Sequence, residues 1–345
     1  MNSRERVATA LLCEQPDRIP YCELAIDRAL AERIMGWGAP GQAADMETTP
    51  YTADEANAIA DELGFDNLAY VLRAPVYSER HAGADGRLFY GAGQIRSLAD
   101  LHLFHLPDPY DDALYEGAKS FVDKKGDRSA WFVTRIGIFP TMLSMGIETF
   151  SLALYDNPRL VEILLDAYCE WAAVVADTVS DLGFDVYVST DDLAFNTQPF
   201  FSPQVFRELV VPRFREVAAN THLPWVVHSD GNIMSLLPDF IELGISGVHP
   251  LEKGAMDVGA VKREYGDRIC LLGNVDLNIL GLGTEEETER EVYELIHTAG
   301  PGGGYIVSSG NSLAGYLKPE NARALTAAVQ KYGKYPLQEF PEMMT

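Results

Sequence analysis

Eight times along this chain a short apolar run halts at polar residues and gives way to a helical pattern, with centres near residues 20, 68, 132, 185, 225, 246, 270 and 305. Strands joined through helices run parallel, because each crossover returns the chain to the same end of the sheet. Eight such steps predict an α/β fold of the (β/α)8 TIM-barrel type. A doubly wound open sheet is the competing arrangement. It is disfavoured because no Gly-x-Gly-x-x-Gly follows the first strand, and Gly302-Gly303-Gly304 precedes a strand instead of opening a helix. One barrel with insertions, spanning residues 1–345, suits the length better than two domains.

A helix from Ser3 to Leu12 is expected as an N-terminal extension, before a first strand at Ile19 to Ala25. Residues 36–50, rich in Gly, Pro and Ala, read as a loop. Asp54 is expected to cap a helix from Glu55 to Leu63 that Gly64 ends, and a strand at Asn67 to Leu72 follows. Tyr77 to Leu101 alternates weakly around Asp85-Gly86, a hairpin signal, and reads as a small β insertion. A strand from Trp131 to Gly137 leads to a loop and short helix over Phe139 to Leu154. Asn157-Pro158 then caps a helix that closes at Gly183. The strand Phe184 to Ser189 ends at Asp191-Asp192, and Pro212 should kink or split the helix that Ser202-Pro203 opens. Strands at Trp225–Val227, Ile245–Val248, Arg268–Gly273 and Gly304–Ser308 complete the set. A Thr284/Glu287 capping box starts one late helix, and Pro319 to Tyr332 is the last.

The formal charge is 27 − 51 = −24, which argues against nucleic acid and against anionic membrane surfaces as partners. No run of about 18 apolar residues suggests a membrane span. The four cysteines are far apart without CxxC spacing, so reduced thiols and a cytoplasmic location are expected. The amphipathic N-terminus lacks the apolar core of a signal peptide.

In a barrel, side chains at the carboxyl ends of the strands gather at one face and build the active site. The residues so placed are Glu23, Arg73, Arg135, Asp191 with Asp192, His228 with Asp230, His249 with Glu252, Asn274 with Asp276, and Ser309 with Asn311. Tyr187, in the fourth strand, joins them as a substrate-binding candidate. His228 and Asp230 lie two apart, which in extended backbone points both to one side, and Gly231 then permits a tight turn. Each has a structural alternative. Asp191 or Asp192 could cap a loop, His249 could simply pack beside Pro250, and Asn274 and Asp276 suit the turn after Gly273. Arg73 and Arg135 could form ion pairs, but in so acidic a chain they read as carboxylate clamps. His228 and Asp230 could ligate a divalent metal, with Glu23, Glu252 or Asp192 as the third ligand.

Several segments together carry a resemblance: Arg4 to Leu11 with Gln15-Pro-Asp-Arg-Ile-Pro20, Ser202-Pro203, His228-Ser-Asp-Gly-Asn232, Gly273-Asn-Val-Asp276, Gly283-Thr284, and Gly303 to Ile306 with Glu320-Asn321. In order and spacing the chain resembles the uroporphyrinogen decarboxylase superfamily, which implies the barrel fold. Its decarboxylases carry an Arg-Gln-Ala-Gly-Arg-Tyr stretch that binds the porphyrinogen carboxylates. The corresponding Tyr21 to Arg28 lacks it, so that substrate is not expected. Its thiol methyltransferases hold zinc with a His-x-Cys pair and a later Cys. Here His228 matches, Asp230 replaces the first cysteine, and Ser308 and Ser309 lie near the second, so thiol methylation is not expected. The resemblance then implies a methyltransferase of the other branch, which removes methyl groups from methoxylated, notably aromatic, compounds. The acceptor would be the Co(I) corrinoid of a partner corrinoid-binding protein, with zinc as a further cofactor and a homodimer as the assembly. His228 would be the acid, with Asp230, Asp191, Asp192 and Glu23 in support. Arg73, Arg135, Tyr187, His249, Glu252, Ser309 and Asn311 would bind substrate. The alternatives are a decarboxylase or other lyase for a small polycarboxylate, and a non-catalytic ligand-binding barrel.

Overall fold

The computed structural model describes residues 1–38, 48–49, 51–83 and 88–337. Its strands are β1 (Asn67–Val71), β2 (Ser78–Ala82), β3 (Leu88–Gly93), β4 (Ser129–Thr134), β5 (Val186–Thr190), β6 (Trp225–His228), β7 (Gly247–His249), β8 (Cys270–Leu272) and β9 (Tyr305–Ile306). Seven form one parallel sheet in the order β1-β4-β5-β6-β7-β8-β9, while β2 and β3 pair antiparallel as the expected insertion. Asp85-Gly86, read as its turn, and most of the 36–50 loop lie outside the described residues.

The sheet curls. Trp131 and Val133 of β4 share one apolar cluster with Val188 of β5, Val226 of β6, Leu272 of β8 and Ile306 of β9, which only a curved sheet can bring together. Each fully buried aliphatic side chain there contributes about 1.5–3 kcal/mol. The helix Ser3–Leu11 adds Val7, Ala10 and Leu11 to the same cluster. It sits at the strands' amino ends, where the Arg4 amide donates to Asp127 O at 3.0 Å and the Arg4 guanidinium meets Asp185 at 2.8 Å. The other faces of the strands pack against helices in a second, larger core containing Phe132, Tyr187 and Leu271.

The first expected strand, Ile19 to Ala25, does not form a ladder. Tyr21 makes a single parallel bridge to Val307, and the Asp66 amide donates to Tyr21 O at 2.7 Å, so the segment lies between β9 and the start of β1. Pro20 has no amide hydrogen to give. The Asn67 side chain takes over at Glu23, accepting from its amide at 3.0 Å and donating to its carbonyl at 2.9 Å. Backbone bonds join the segment to Val307, from the Cys22 amide at 3.0 Å and to Pro20 O at 2.9 Å, while on the β1 side a side chain does the bonding at Glu23.

Other boundaries differ locally. Thr52, not Asp54, caps the helix Ala53–Leu63, through a capping box with Glu55. Asn157 makes no side-chain cap bond at the helix Pro158–Asp181. Phe139 to Leu154 holds two helices, Ile138–Met145 and Ile147–Asp156, instead of one. At Pro212, expected to kink or split the helix, the turn before it is instead widened, with the Val211 amide donating to Phe206 O five residues back. No single described helix is long and apolar enough to cross a membrane.

One buried carboxylate fastens the N-terminus to this frame. Asp66 accepts from Arg6 at 2.8 Å, Arg18 at 2.9 Å, Ser3 at 2.7 Å and the Tyr21 amide at 2.9 Å. Removing the anion takes a buried partner from two guanidiniums, leaving Arg6 with Asp17 and Arg18 with Ile19 O, and also unpairs Ser3 Oγ and the Tyr21 amide. Asp66→Ala should therefore lower unfolding free energy by about 3 kcal/mol in urea titration. A loss below about 1 kcal/mol would show the carboxylate is not what holds the helix.

Candidate active site

Four strand ends deliver alternate residues to one cavity of about 200 Å³. Val71 ends β1 and Arg73 lies just past it, Val133 and Arg135 stand likewise at the end of β4, Thr190 and Asp192 at the end of β5, and His228 and Asp230 at the end of β6. Each pair is separated by two, the repeat that keeps side chains on one face of extended chain. Leu24, Ile26 and Phe139 supply further hydrocarbon wall, and Asn311 closes one side. Gly231 permits the turn after Asp230. Its φ is +82°, and a Cβ there would come within 2.5 Å of Ala194 O.

His228 Nε2 faces two carboxylates, Asp192 Oδ1 at 3.7 Å and Asp230 Oδ1 at 3.8 Å. Asp230 also accepts from Asn311 Nδ2 at 2.8 Å, and Asp192 accepts from the Asp230 amide at 3.1 Å. Burial, reinforced by the charges of Asp192 and Glu252, pushes the Asp230 carboxyl up to about 6, against the pull of His228 and Asn311. The arginines line the same cavity. Arg73 donates to Thr190 Oγ1 at 3.1 Å. Arg135 donates to Tyr90 Oη at 2.9 Å, with its guanidinium stacked over Phe139.

The remaining candidates are placed differently. Asp191, one residue out of step with Asp192, is fully buried and accepts from the amides of Ile136, Gly137 and Phe139 at 2.8, 3.1 and 3.1 Å. It pins the loop that carries Arg135 instead of reaching the cavity. Tyr187, also out of step, packs between Phe132 and Trp225 in the helix-facing core, so it does not line the cavity as a substrate contact. Glu252 accepts from the Gly231 amide at 2.7 Å and lines two clefts that meet the cavity at Asp230. Asp276 caps the helix Leu277–Leu282, the turn role expected for it.

Glu23 borders a separate, smaller cavity walled by Ile59, Phe65 and Leu68. Its carboxylate accepts from Ser309 N at 2.8 Å and Ser309 Oγ at 2.6 Å. His249 is buried behind His228, with the two Nδ1 atoms 2.7 Å apart. Burial and the neighbouring His228 hold its ring well below the usual histidine range. Tyr90 and Ser308 were not among the sequence candidates. Tyr90 lies in an insertion whose alternation gives no sign of the cavity. Thr190 could have been found by counting back two from Asp192.

Asp192, His228 and Asp230 present donor atoms all within 4.8 Å of one another. Asp230 Oδ1 is buried without a hydrogen-bond partner, and His228 is backed through its other nitrogen, as metal-ligating histidines are. One imidazole and two carboxylates suit zinc or a harder divalent ion better than a thiophilic one. The third donor is Asp192, since Glu23 and Glu252 are engaged elsewhere.

Burial is the main cause that raises the Glu23 carboxyl to about 7 from an ordinary 4.5, against its bonds to Ser309. The folded chain thus favours the protonated form. This contributes stability that is full below 4.5 and lost as pH rises through 7. The difference, 7 − 4.5, corresponds to about 3 kcal/mol. Glu23→Gln should flatten the fall in urea-unfolding free energy across that window, and a slope identical to wild type would contradict this account.

Comparison with known proteins agrees with this architecture. A structure of a methyltransferase from Methanosarcina mazei superimposes with a TM-score of 0.77 at 21% identity, covering 96% of this chain and 99% of that one. A B12-independent methionine synthase from a Shewanella species gives 0.53 at 10% identity, over 93% and 98%. These show a shared fold. Among curated sequences, the uroporphyrinogen decarboxylase of Pseudoalteromonas atlantica is 32% identical over 254 residues, 69% of each chain. That of Alkalilimnicola ehrlichii is 25% identical over 250 residues, 69% of this chain and 67% of its own. With the profile for "Uroporphyrinogen decarboxylase (URO-D)" matching residues 2–332, the chain belongs to the uroporphyrinogen decarboxylase family.

Proposed function

We propose that this protein is a methyltransferase that removes a methyl group from a methoxylated aromatic acid and passes it to the corrinoid of a partner protein. The observation that carries this reading is the make-up of one cavity. Hydrocarbon from Leu24, Val71, Val133 and Phe139 is flanked by the His228–Asp192–Asp230 group and by Arg73 and Arg135. The wall suits an aromatic ring, and the arginines suit a carboxylate. The structural likeness to a methyltransferase supports the same reading.

A Co(I) corrinoid carried by the partner would supply the electron pair that takes up the methyl carbon. As that bond forms, the methyl–oxygen bond breaks and its electrons stay on the phenol oxygen. The chain's task is to hold the ether in line and to stabilise the oxyanion. His228 Nε2 faces the cavity and is the atom placed to take up a proton and pass it to the oxygen, with Asp192 and Asp230 orienting the ring. A zinc ion held by Asp192, His228 and Asp230 would supply Lewis acidity to the same oxygen. The four free cysteines fit a reducing compartment, and we place the reaction in the cytoplasm.

A second reading, decarboxylation or lysis of a small polycarboxylate, is favoured by the two arginines sharing the cavity. Arg28, the arginine of the segment that differs from the decarboxylase motif, pairs with Glu32 and Glu55, both at 3.0 Å, and does not line that cavity.

Incubation with a reduced corrinoid protein and a methoxybenzoate should give the phenol and methylated corrinoid. His228→Ala should lower kcat by about 10²–10⁴-fold. Arg135→Ala should raise KM for the carboxylated ether about tenfold or more while leaving a neutral methoxyarene unaffected. Absence of turnover with any methoxyarene, together with CO₂ release from a polycarboxylate, would favour the second reading.

A further inference from the structure

Behind the His228 ring, on the side away from the cavity, runs a row of buried polar groups. His228 Nδ1 is 2.7 Å from His249 Nδ1, and His249 Nε2 is 3.0 Å from Ser308 Oγ. Ser308 Oγ is in turn 3.4 Å from Glu23 Oε2, which also accepts from Ser309 Oγ. His249, Ser308 and Ser309 are at most 1% exposed, so water does not compete for these bonds.

Two nitrogens 2.7 Å apart share one hydrogen, so one ring donates and the other accepts. Once ionised, the Glu23 carboxylate can only accept, and this sets the direction along the row. Ser308 gives its hydroxyl hydrogen to Glu23, and its oxygen then accepts from His249 Nε2–H. A neutral imidazole has one N–H, so His249 Nδ1 is left as an acceptor. The shared hydrogen therefore belongs to His228 Nδ1. That leaves His228 Nε2, the nitrogen facing Asp192 and Asp230, to the cavity.

We propose that Glu23, Ser308 and His249 are positioning residues that fix His228 as the tautomer with hydrogen on Nδ1 and the Nε2 lone pair turned to the cavity. The arrangement gives Glu23 and His249, neither of which lines that cavity, a common role. It does not rest on the methyl-transfer reading, because cation binding and proton transfer at Nε2 both need that lone pair.

The test is nitrogen NMR of protein labelled at its histidine rings, at about pH 8.5, where Glu23, with its value of about 7, is ionised. His228 is assigned by the signals lost in His228→Gln. The wild-type spectrum should show His228 with a protonated Nδ1 and an unprotonated Nε2. Ser308→Ala should lower the ratio of that tautomer to its alternative about tenfold, the equivalent of one buried hydrogen bond. Ser308→Thr, which keeps the hydroxyl, should restore the ratio, and Glu23→Gln should lower it. A general folding defect would disturb all seven histidines, whereas this role moves His228 and His249 alone. Hydrogen on Nε2 in the wild type, or a ratio unchanged in both Ser308→Ala and Glu23→Gln, would overturn the proposal. Once His228 is assigned, the wild-type spectrum decides the tautomer, and the Ser308 and Glu23 variants test what fixes it.

Discussion

Two-residue alternation along parallel strands is the constraint on which this site depends. Val188, Thr190 and Asp192 follow one another on the inner face of one strand end, as Val226, His228 and Asp230 do on the next. The inward valines pack against the N-terminal helix and each other, and the polar residues two further on emerge at the opposite end of the sheet. Shifting the second of these strands by one residue would turn His228 toward the helices and Val227 toward the interior. Packing of the interior therefore fixes the register, and the register fixes the chemistry.

The same rule explains what was legible in the sequence and what was not. The parallel α/β architecture could be read from the strand–helix repeat, and His228 with Asp230 from their spacing. Tyr187 and Asp191 were misplaced because nearness to a strand end was weighed without its parity. One packs in the helix-facing core, and the other holds three amides. The segment at Ile19 to Ala25 looked like a strand, but Pro20 lacks a donor and Asn67 bonds its backbone through a side chain. The partnerships behind His228 could not be read at all. His249 and Ser308 are 59 residues apart, and Ser308 and Glu23 are 285 apart, so only the closed tertiary structure makes them neighbours.

Electrostatics gives the two carboxylates of the Asp191-Asp192 pair different work. Asp191 is buried against three amide donors, which satisfy it locally and make it part of the frame. Asp192 meets an imidazole and another carboxylate at the cavity wall, where a cation or a proton is the natural complement. In a chain of net charge −24, Arg73 and Arg135 bring positive charge to the wall of this cavity beside the acidic group.

The most direct test of this account is a crystal structure with a methoxybenzoate bound. The account predicts the carboxylate on Arg73 and Arg135, with the ether oxygen within about 3 Å of His228 Nε2 or of a cation held there. Density for the ligand in the clefts beside Glu252, with His228 untouched, would contradict it.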